Sequence, residues 1–324
     1  MSPTRRDVLK WGAGAGTLAA TGAVSFGLPT AASAAVTPGG AYTNMWMSHL
    51  NPSTPLNMLT IPGTHDSCCE YPSHGTEWSH TQNWGIPEQL QQGIRFLDIR
   101  CNGLQGTANE LGIYHSSYYQ YIRFQDVLDQ CQAFLRAQPT ECIVMRVRNE
   151  NAGGQALNDT EFARRVNYYR ALPAYQNLLK PLKFQWPTLS SAAGQIVPIF
   201  DFIDDNNIPP TMGSVIPWGG GTSPWVQSIE DHYYVDMDPK GRYIVQQFDR
   251  AAADVKQGTL YINFLSMAGA PLSQFPKVYE QKLMDNYIYP YLNTHRKGPR
   301  FGIVPMDFPD FHVNVVQMLI DRNL

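Results

Sequence analysis

The residues best able to do chemistry stand at the ends of short apolar runs. His65 and Asp66 follow the run 58–61, within Ile61-Pro62-Gly63-Thr64-His65-Asp66-Ser67. Asp98 and Arg100 lie at the end of the run 94–99, His115 follows 111–114, and Asp307 follows 301–306. Arg148 and Glu150 come after 143–147, and Asp201 and Asp204 after 196–200. A pair of histidines can divide a displacement at phosphorus. One takes the nucleophile's proton and the other protonates the leaving oxygen. An arginine between them would hold the phosphate and offset charge on its oxygens. Each residue alone has a plainer reading. A His-Asp pair is commonly a surface or capping pair, Arg100 a salt-bridge partner of Asp98, and Asp307 a cap for a helix near 313. Their shared placement favours a site. His49, His74, His80, His232, His295 and His312 lack it and read as loop or surface residues.

The elements that must position these groups alternate. Nearly continuous apolar runs at 58–61, 94–99, 111–114, 143–147, 196–202, 259–264 and 301–306 have strand length and suit strands covered on both faces. Helical spacing of three and four marks 122–136, where Phe124, Val127, Leu128, Cys131, Phe134 and Leu135 share a face, and also 162–172, 275–292 and 313–324. Strand and helix in alternation imply an α/β fold, and seven or eight strands favour a barrel over an open sheet. Barrel enzymes carry their chemistry on the carboxyl-end rim, where the polar groups above fall. No internal repeat or Ser/Pro-rich linker divides the chain, so a single domain over 36–324 is expected. Gly219-Gly220-Gly221 reads as part of a long loop.

The chain has 324 residues, of which 43% are hydrophobic and 12% aromatic, enough for a large core and incompatible with global disorder. Lys plus Arg number 24 against 27 Asp plus Glu, a net charge of −3 that argues against nonspecific nucleic-acid binding. Residues 1–35 read as a leader. Arg5 and Arg6 precede an uncharged Ala/Gly/Leu/Val stretch that ends in Ala31-Ala32-Ser33-Ala34-Ala35, the pattern of a twin-arginine export signal. Its cleavage would leave the remainder more acidic. Export permits disulfides among the five cysteines, an odd count that leaves at least one free. Cys131 and Cys142 could staple a helix-to-strand turn, and Cys101 could pair with Cys68 or Cys69. No Cys-x-x-Cys pair is present to suggest zinc.

Three motifs together resemble a known family. Ile61-Pro62-Gly63-Thr64-His65-Asp66-Ser67, Phe96-Leu97-Asp98-Ile99-Arg100 and Tyr114-His115 are similar to the X-type catalytic domain of bacterial phosphatidylinositol-specific phospholipase C. The likeness continues through 141–150, 260–264 and 302–307. It implies an irregular, incompletely closed TIM-type (β/α) barrel. It also implies that His65 is the general base on the inositol 2-hydroxyl, oriented by Asp307. His115 would be the general acid on the diacylglycerol oxygen, supported by Asp66. Arg100 would bind the phosphate, with Asp98 as its brace. Diacylglycerol and a 1,2-cyclic inositol phosphate would be the products. For the headgroup the resemblance points to Arg148, Glu150, Asp231 and Tyr233. Asp201 stands where well-known bacterial members carry an arginine, so it either meets the inositol or is a rim carboxylate that faces solvent or pairs with Arg148. Trp78 falls at a rim position that meets the membrane in the family, and Trp218 and Trp225 either join it or are buried.

Arg100 bears on the metal question, because calcium-dependent relatives hold an ion near the phosphate. A guanidinium there supplies the positive charge itself, so no metal and no cofactor is expected. The expected partner is phosphatidylinositol in membranes, met transiently by a secreted monomer, with no nucleic acid. Two rival readings are a metal-dependent glycerophosphodiesterase-like enzyme and a non-catalytic lipid or inositol-glycan binding domain. The first sits badly with Arg100, and the second with the presence of both histidines and the arginine.

Overall fold

Nine strands, most of them apolar runs buried on both faces, form one curled sheet. These are β1 (Thr60–Thr64), β2 (Phe96–Gly103), β3 (Leu111–His115), β4 (Tyr118–Arg123), β5 (Ile143–Asn149), β6 (Ile196–Asp201), β7 (Val226–Glu230), β8 (Thr259–Asn263) and β9 (Gly302–Met306). The computed structural model describes residues 43–70, 74–180, 186–202, 226–256, 258–269 and 274–324. The leader expected over 1–35, Asp204, the 219–221 glycines, Trp218 and Trp225 lie outside them.

The strands follow the order β6-β5-β2-β1-β9-β8-β7, every neighbouring pair parallel. β3 and β4 form an antiparallel hairpin on the last residues of β2. Among the described residues β6 and β7 do not pair, so the barrel is open on that side. This matches the α/β barrel expected from the alternating runs and the irregular, incomplete closure that the resemblance implied. Gly63 lets β1 approach β2 closely, since a Cβ there would lie 2.7 Å from Phe96 Cβ.

Helices cover the outer face: α1 (Ile86–Gln91), α2 (Phe124–Ala137), α3 (Asp159–Ala171), α4 (Leu189–Ala192), α5 (Met237–Ala253), α6 (Pro276–Leu283), α7 (Tyr289–Thr294) and α8 (Val313–Asp321). Phe124, Val127, Leu128, Cys131, Phe134 and Leu135 of α2 are all buried, as their spacing required. α3 begins ahead of the apolar pattern because Asn158 caps it, accepting from the Glu161 amide. The long helix expected over 275–292 is interrupted by a π-turn at Met284–Ile288, just before Pro290, which cannot supply the ladder hydrogen bond. α5 and the strands β4 and β7 were not expected.

The disulfides allowed by the sequence are absent. Cys68, Cys69, Cys101, Cys131 and Cys142 are free and buried, and burial pushes each thiol well above its ordinary range. They serve as small apolar side chains in the core. No helix among the described residues is long and apolar enough to cross a membrane.

Candidate active site

Register decides which side chains face inward together. Asp98 of β2 lies beside Arg146 of β5, and one row further on Arg100, Arg148 and Asp201 lie side by side across β2, β5 and β6. Residues two apart on a strand share a face, so all five meet inside the barrel at its carboxyl end. The turns after β1, β3, β5 and β9 each place a non-glycine residue at positive φ: Asp66 at 43°, Ser116 at 53°, Asn151 at 45° and Phe308 at 44°. Such backbone is costly unless its surroundings impose it. Here Gln82 Nε2 donates to the His65 and Met306 carbonyls, Thr81 Oγ1 to the Asp66 carbonyl, and the Phe308 amide to the Thr81 carbonyl.

His65 is 1% exposed and held at both ring nitrogens. Nδ1 lies 2.7 Å from Asp307 Oδ1, and Nε2 lies 3.0 Å from Asp66 Oδ2. The same Asp66 oxygen is 3.3 Å from His115 Nε2, so one carboxylate stands between the two imidazoles. His115 has the more open side chain, 21% exposed, which puts the mouth of the site on its side. Arg100 Nε contacts Asp66, and its Nη2 donates to Asp98 Oδ2 at 2.9 Å. Arg146 bridges Asp98 Oδ1 at 3.1 Å and Asp201 Oδ2 at 2.5 Å. Arg148 is 3.4 Å from Glu150 and 3.9 Å from Asp201, while Glu150 also accepts from the Ser116 amide.

These contacts set the charge states. Burial alone would raise Asp66, but Arg100, His65 and His115 hold its carboxyl well below the usual range. Burial opposes the ionised form of Asp98 too, and Arg100 and Arg146 outweigh it, so Asp98 is held low. Arg100 is pulled down by burial but carried above its ordinary value by Asp66, Asp98 and Glu150. Ligand-type atoms of His65, Asp66 and Asp98 lie within 4.8 Å of one another. Arg100 already contacts both carboxylates, and a cation there would compete with its guanidinium.

The residues singled out in sequence are therefore largely brought together. His65, Asp66, Asp98, Arg100, His115 and Asp307 form one contact network, and Arg148, Glu150 and Asp201 adjoin it. Tyr233 follows β7 with its ring 6.0 Å from that of His65, and half-buried Asp231 comes two residues earlier. Asp201 pairs mainly with Arg146 instead of Arg148. Trp78 lies in a turn, 37% exposed, with its ring 4.9 Å from that of Phe275. Arg146 was missed, although its alternation with Arg148 places it on the same face. His312, read as a loop or surface residue, is buried and lies 3.0 Å from Glu280, because the turn after β9 folds it under α6.

Residues 54–197 match the family model "Phosphatidylinositol-specific phospholipase C, X domain". Over those residues the chain is similar to that X domain. Beyond those residues it is homologous to "1-phosphatidylinositol phosphodiesterase" of Staphylococcus aureus (strain Newman), 28% identical over 86% of this chain and 93% of that protein. The enzyme of the same name from Listeria monocytogenes is 29% identical over 83% of this chain and 82% of its own length. In fold, the chain is similar to a crystal structure of phosphatidylinositol-specific phospholipase C from Staphylococcus aureus. The TM-score is 0.76 at 23% identity, over 87% of this chain and 98% of that one.

Proposed function

We propose that this chain is a phosphatidylinositol-specific phospholipase C that cleaves phosphatidylinositol by acid–base catalysis without a metal ion. The observation that carries the reading is the placement of Asp66 between two histidines, with Arg100 on its other oxygen. His65 donates Nδ1–H to Asp307, which leaves the Nε2 lone pair to take the proton of the inositol 2-hydroxyl. That hydroxyl enters where Nε2 now meets Asp66. Its oxygen attacks the neighbouring phosphorus, and the bond from phosphorus to the diacylglycerol oxygen breaks. His115 gives that oxygen its proton, so diacylglycerol leaves and a 1,2-cyclic inositol phosphate remains. Arg100 holds the phosphate and offsets charge on its oxygens. Intramolecular attack needs no ordered water, since the nucleophile is already in place.

Arg148, Glu150, Asp231 and Tyr233 form the headgroup wall in this reading. Asp201, tied to Arg146, acts as an anchor for the arginines and not as an inositol ligand. Exposed aromatic side chains at Trp78, Phe275, Tyr118, Tyr121 and Phe311 offer a lipid-facing surface, since aromatic rings suit the membrane–water interface. Contact is transient, as expected for a chain of net negative charge. Residues 1–35 direct export by the twin-arginine route, and residues 36–324 form the catalytic domain.

The acid role is tested with His115→Ala on phosphatidylinositol and on an analogue with an activated phenolic leaving group, both in excess EDTA. The expected loss is about 10²–10⁴-fold on the lipid and far smaller on the phenolic ester, which leaves without a proton. Equal losses on both contradict the role. A parent enzyme silent until calcium is added contradicts the metal-free reading.

A further inference from the structure

Arg146 takes no part in the acid–base steps, yet it contacts the carboxylate that braces Arg100. It is 2% exposed on β5, in register with Asp98 of β2. Its Nε and Nη2 both donate to Asp201 Oδ2, at 3.2 and 2.5 Å, which fixes the plane of the guanidinium. In that plane Nη1 donates to Asp98 Oδ1 at 3.1 Å. The other oxygen of Asp98, Oδ2, accepts from Arg100 Nη2 at 2.9 Å and Nε at 3.3 Å, and from the Asp66 amide at 3.3 Å. One buried carboxylate thus stands between two arginines, with a different one on each oxygen.

Charge balance gives the arrangement a purpose. Arg100 touches both Asp66 and Asp98, and two carboxylates on one guanidinium would cancel its charge before a phosphate arrives. Arg146 takes up part of the Asp98 charge from the far side. Burial pulls Arg146 down, but Asp98 and Asp201 carry it above its ordinary value despite the nearby Arg100. The side chain is also confined by an aromatic ring. Its guanidinium carbon lies 6.0 Å from the centre of Phe264, whose ring stands edge-on to His65 at the same distance. Two carboxylates and a ring leave Arg146 little freedom to swing away.

We propose that Arg146 is a positioning residue for the phosphate-binding Arg100, acting through Asp98. It holds the Asp98 carboxylate in the rotation at which Oδ2 meets Nε and Nη2 of Arg100. It also offsets the Asp98 charge, so that the Arg100 guanidinium keeps its attraction for a phosphate. Asp201 serves by aiming Arg146 at Asp98. The inference rests on the reading of Arg100 as the group that holds the phosphate.

The test compares R146K, R100K and R146K/R100K with the parent on phosphatidylinositol vesicles in excess EDTA, with thermal melts alongside. Lysine keeps the charge but lacks the planar fork that bridges Asp98 and Asp201. R146K should lose about tenfold in kcat with KM within about twofold of the parent, the worth of one hydrogen bond to a charged group. In the R100K background the same change should cost less than about twofold, because the group it positions is already altered. A change that only loosened the fold would cost as much in both backgrounds. R146K with the parent's kcat overturns the role, and so does an equal loss in the two backgrounds. Where R146K does not fold, R146M/D201L replaces the ion pair by apolar side chains and enters the same cycle under the same criteria. R100K as active as the parent would instead bring down the reading of Arg100, whereas an impaired R100K beside a fully active R146K brings down only the role of Arg146.

Discussion

Arg95 immediately precedes β2 and Arg100 lies five residues on, inside the strand on the side of the candidate site; both are buried, in surroundings of opposite kind. At the amino end, Arg95 Nε and Nη2 meet Glu141 at 2.9 and 2.8 Å, and its other donors go to the carbonyls of Leu90, Ile94 and Asn44. Glu141 in turn accepts from the Met47 and Ser48 amides, which ties the 3₁₀ segment Thr43–His49 across the bottom of the barrel. Every donor of Arg95 is used by the chain itself, and burial pulls the group below its ordinary value despite Glu141. At the carboxyl end, Arg100 faces Asp66 and Asp98, while its Nη1 donates to no described residue. Excess carboxylate carries Arg100 the other way. The first arginine closes a structure, and the second is left with something to offer a substrate. Burial alone does not separate the two; the identity and number of their partners does.

Substitutions can break or sharpen this contrast. Arg95→Leu strands the Glu141 charge in the core and should cost about 3–5 kcal/mol, read by urea unfolding, with the folded fraction keeping the parent's kcat. A lost kcat in folded Arg95→Leu would blur the distinction. Arg100→Lys keeps the charge but not the planar fork, and should lower kcat by about 10²–10³-fold with a much smaller change in melting temperature. If Arg100→Lys proves as active as the parent, the fork is not what holds the phosphate.

Acid sharpens the contrast further. Asp66 and Asp98 bind protons less readily folded than unfolded, so their contribution is present above the ordinary carboxylate value of about 4 and is lost as pH falls below it. Melting temperature should therefore drop steeply below about pH 4, and less steeply in Asp98→Asn. A flat profile down to pH 2 in the parent would contradict this. The smallest expected effect has the opposite sign. Burial pushes Glu70 up to about 7, so it costs stability as pH rises from its ordinary value towards 7. Glu70→Gln should then raise the melting temperature more at pH 8 than at pH 5, by scanning calorimetry.

The expected strand runs were legible because strands covered on both faces need unbroken apolar residues, and each coincides with a strand to within a few residues. The grouping of the candidate-site residues followed from reading what stands at their ends. What stayed hidden has physical reasons. β4 is exposed or half-exposed along most of its length, so it has no apolar side to betray it. α5 buries Lys240 and Gln247 on its inner face, Lys240 paired with Glu230 at 2.6 Å, and carries Gly241, which breaks the apolar period left by Ile244, Phe248 and Ala251. The fate of the cysteines could not be read from spacing, since a thiol in an apolar core leaves the same sequence trace as one in a bridge. Arg146 and the Glu280–His312 pair depend on cross-strand register and on a turn that folds back, and neither is local in sequence.

The central claim is that the strand-end network drives attack by a hydroxyl of the lipid itself. Phosphorus NMR of phosphatidylinositol vesicles treated with residues 36–324 in excess EDTA tests it most directly. The account predicts a cyclic inositol phosphate as the first water-soluble product, and its disappearance with His65→Ala. A linear inositol phosphate formed first, or product formation that starts only on adding calcium or magnesium, would contradict it.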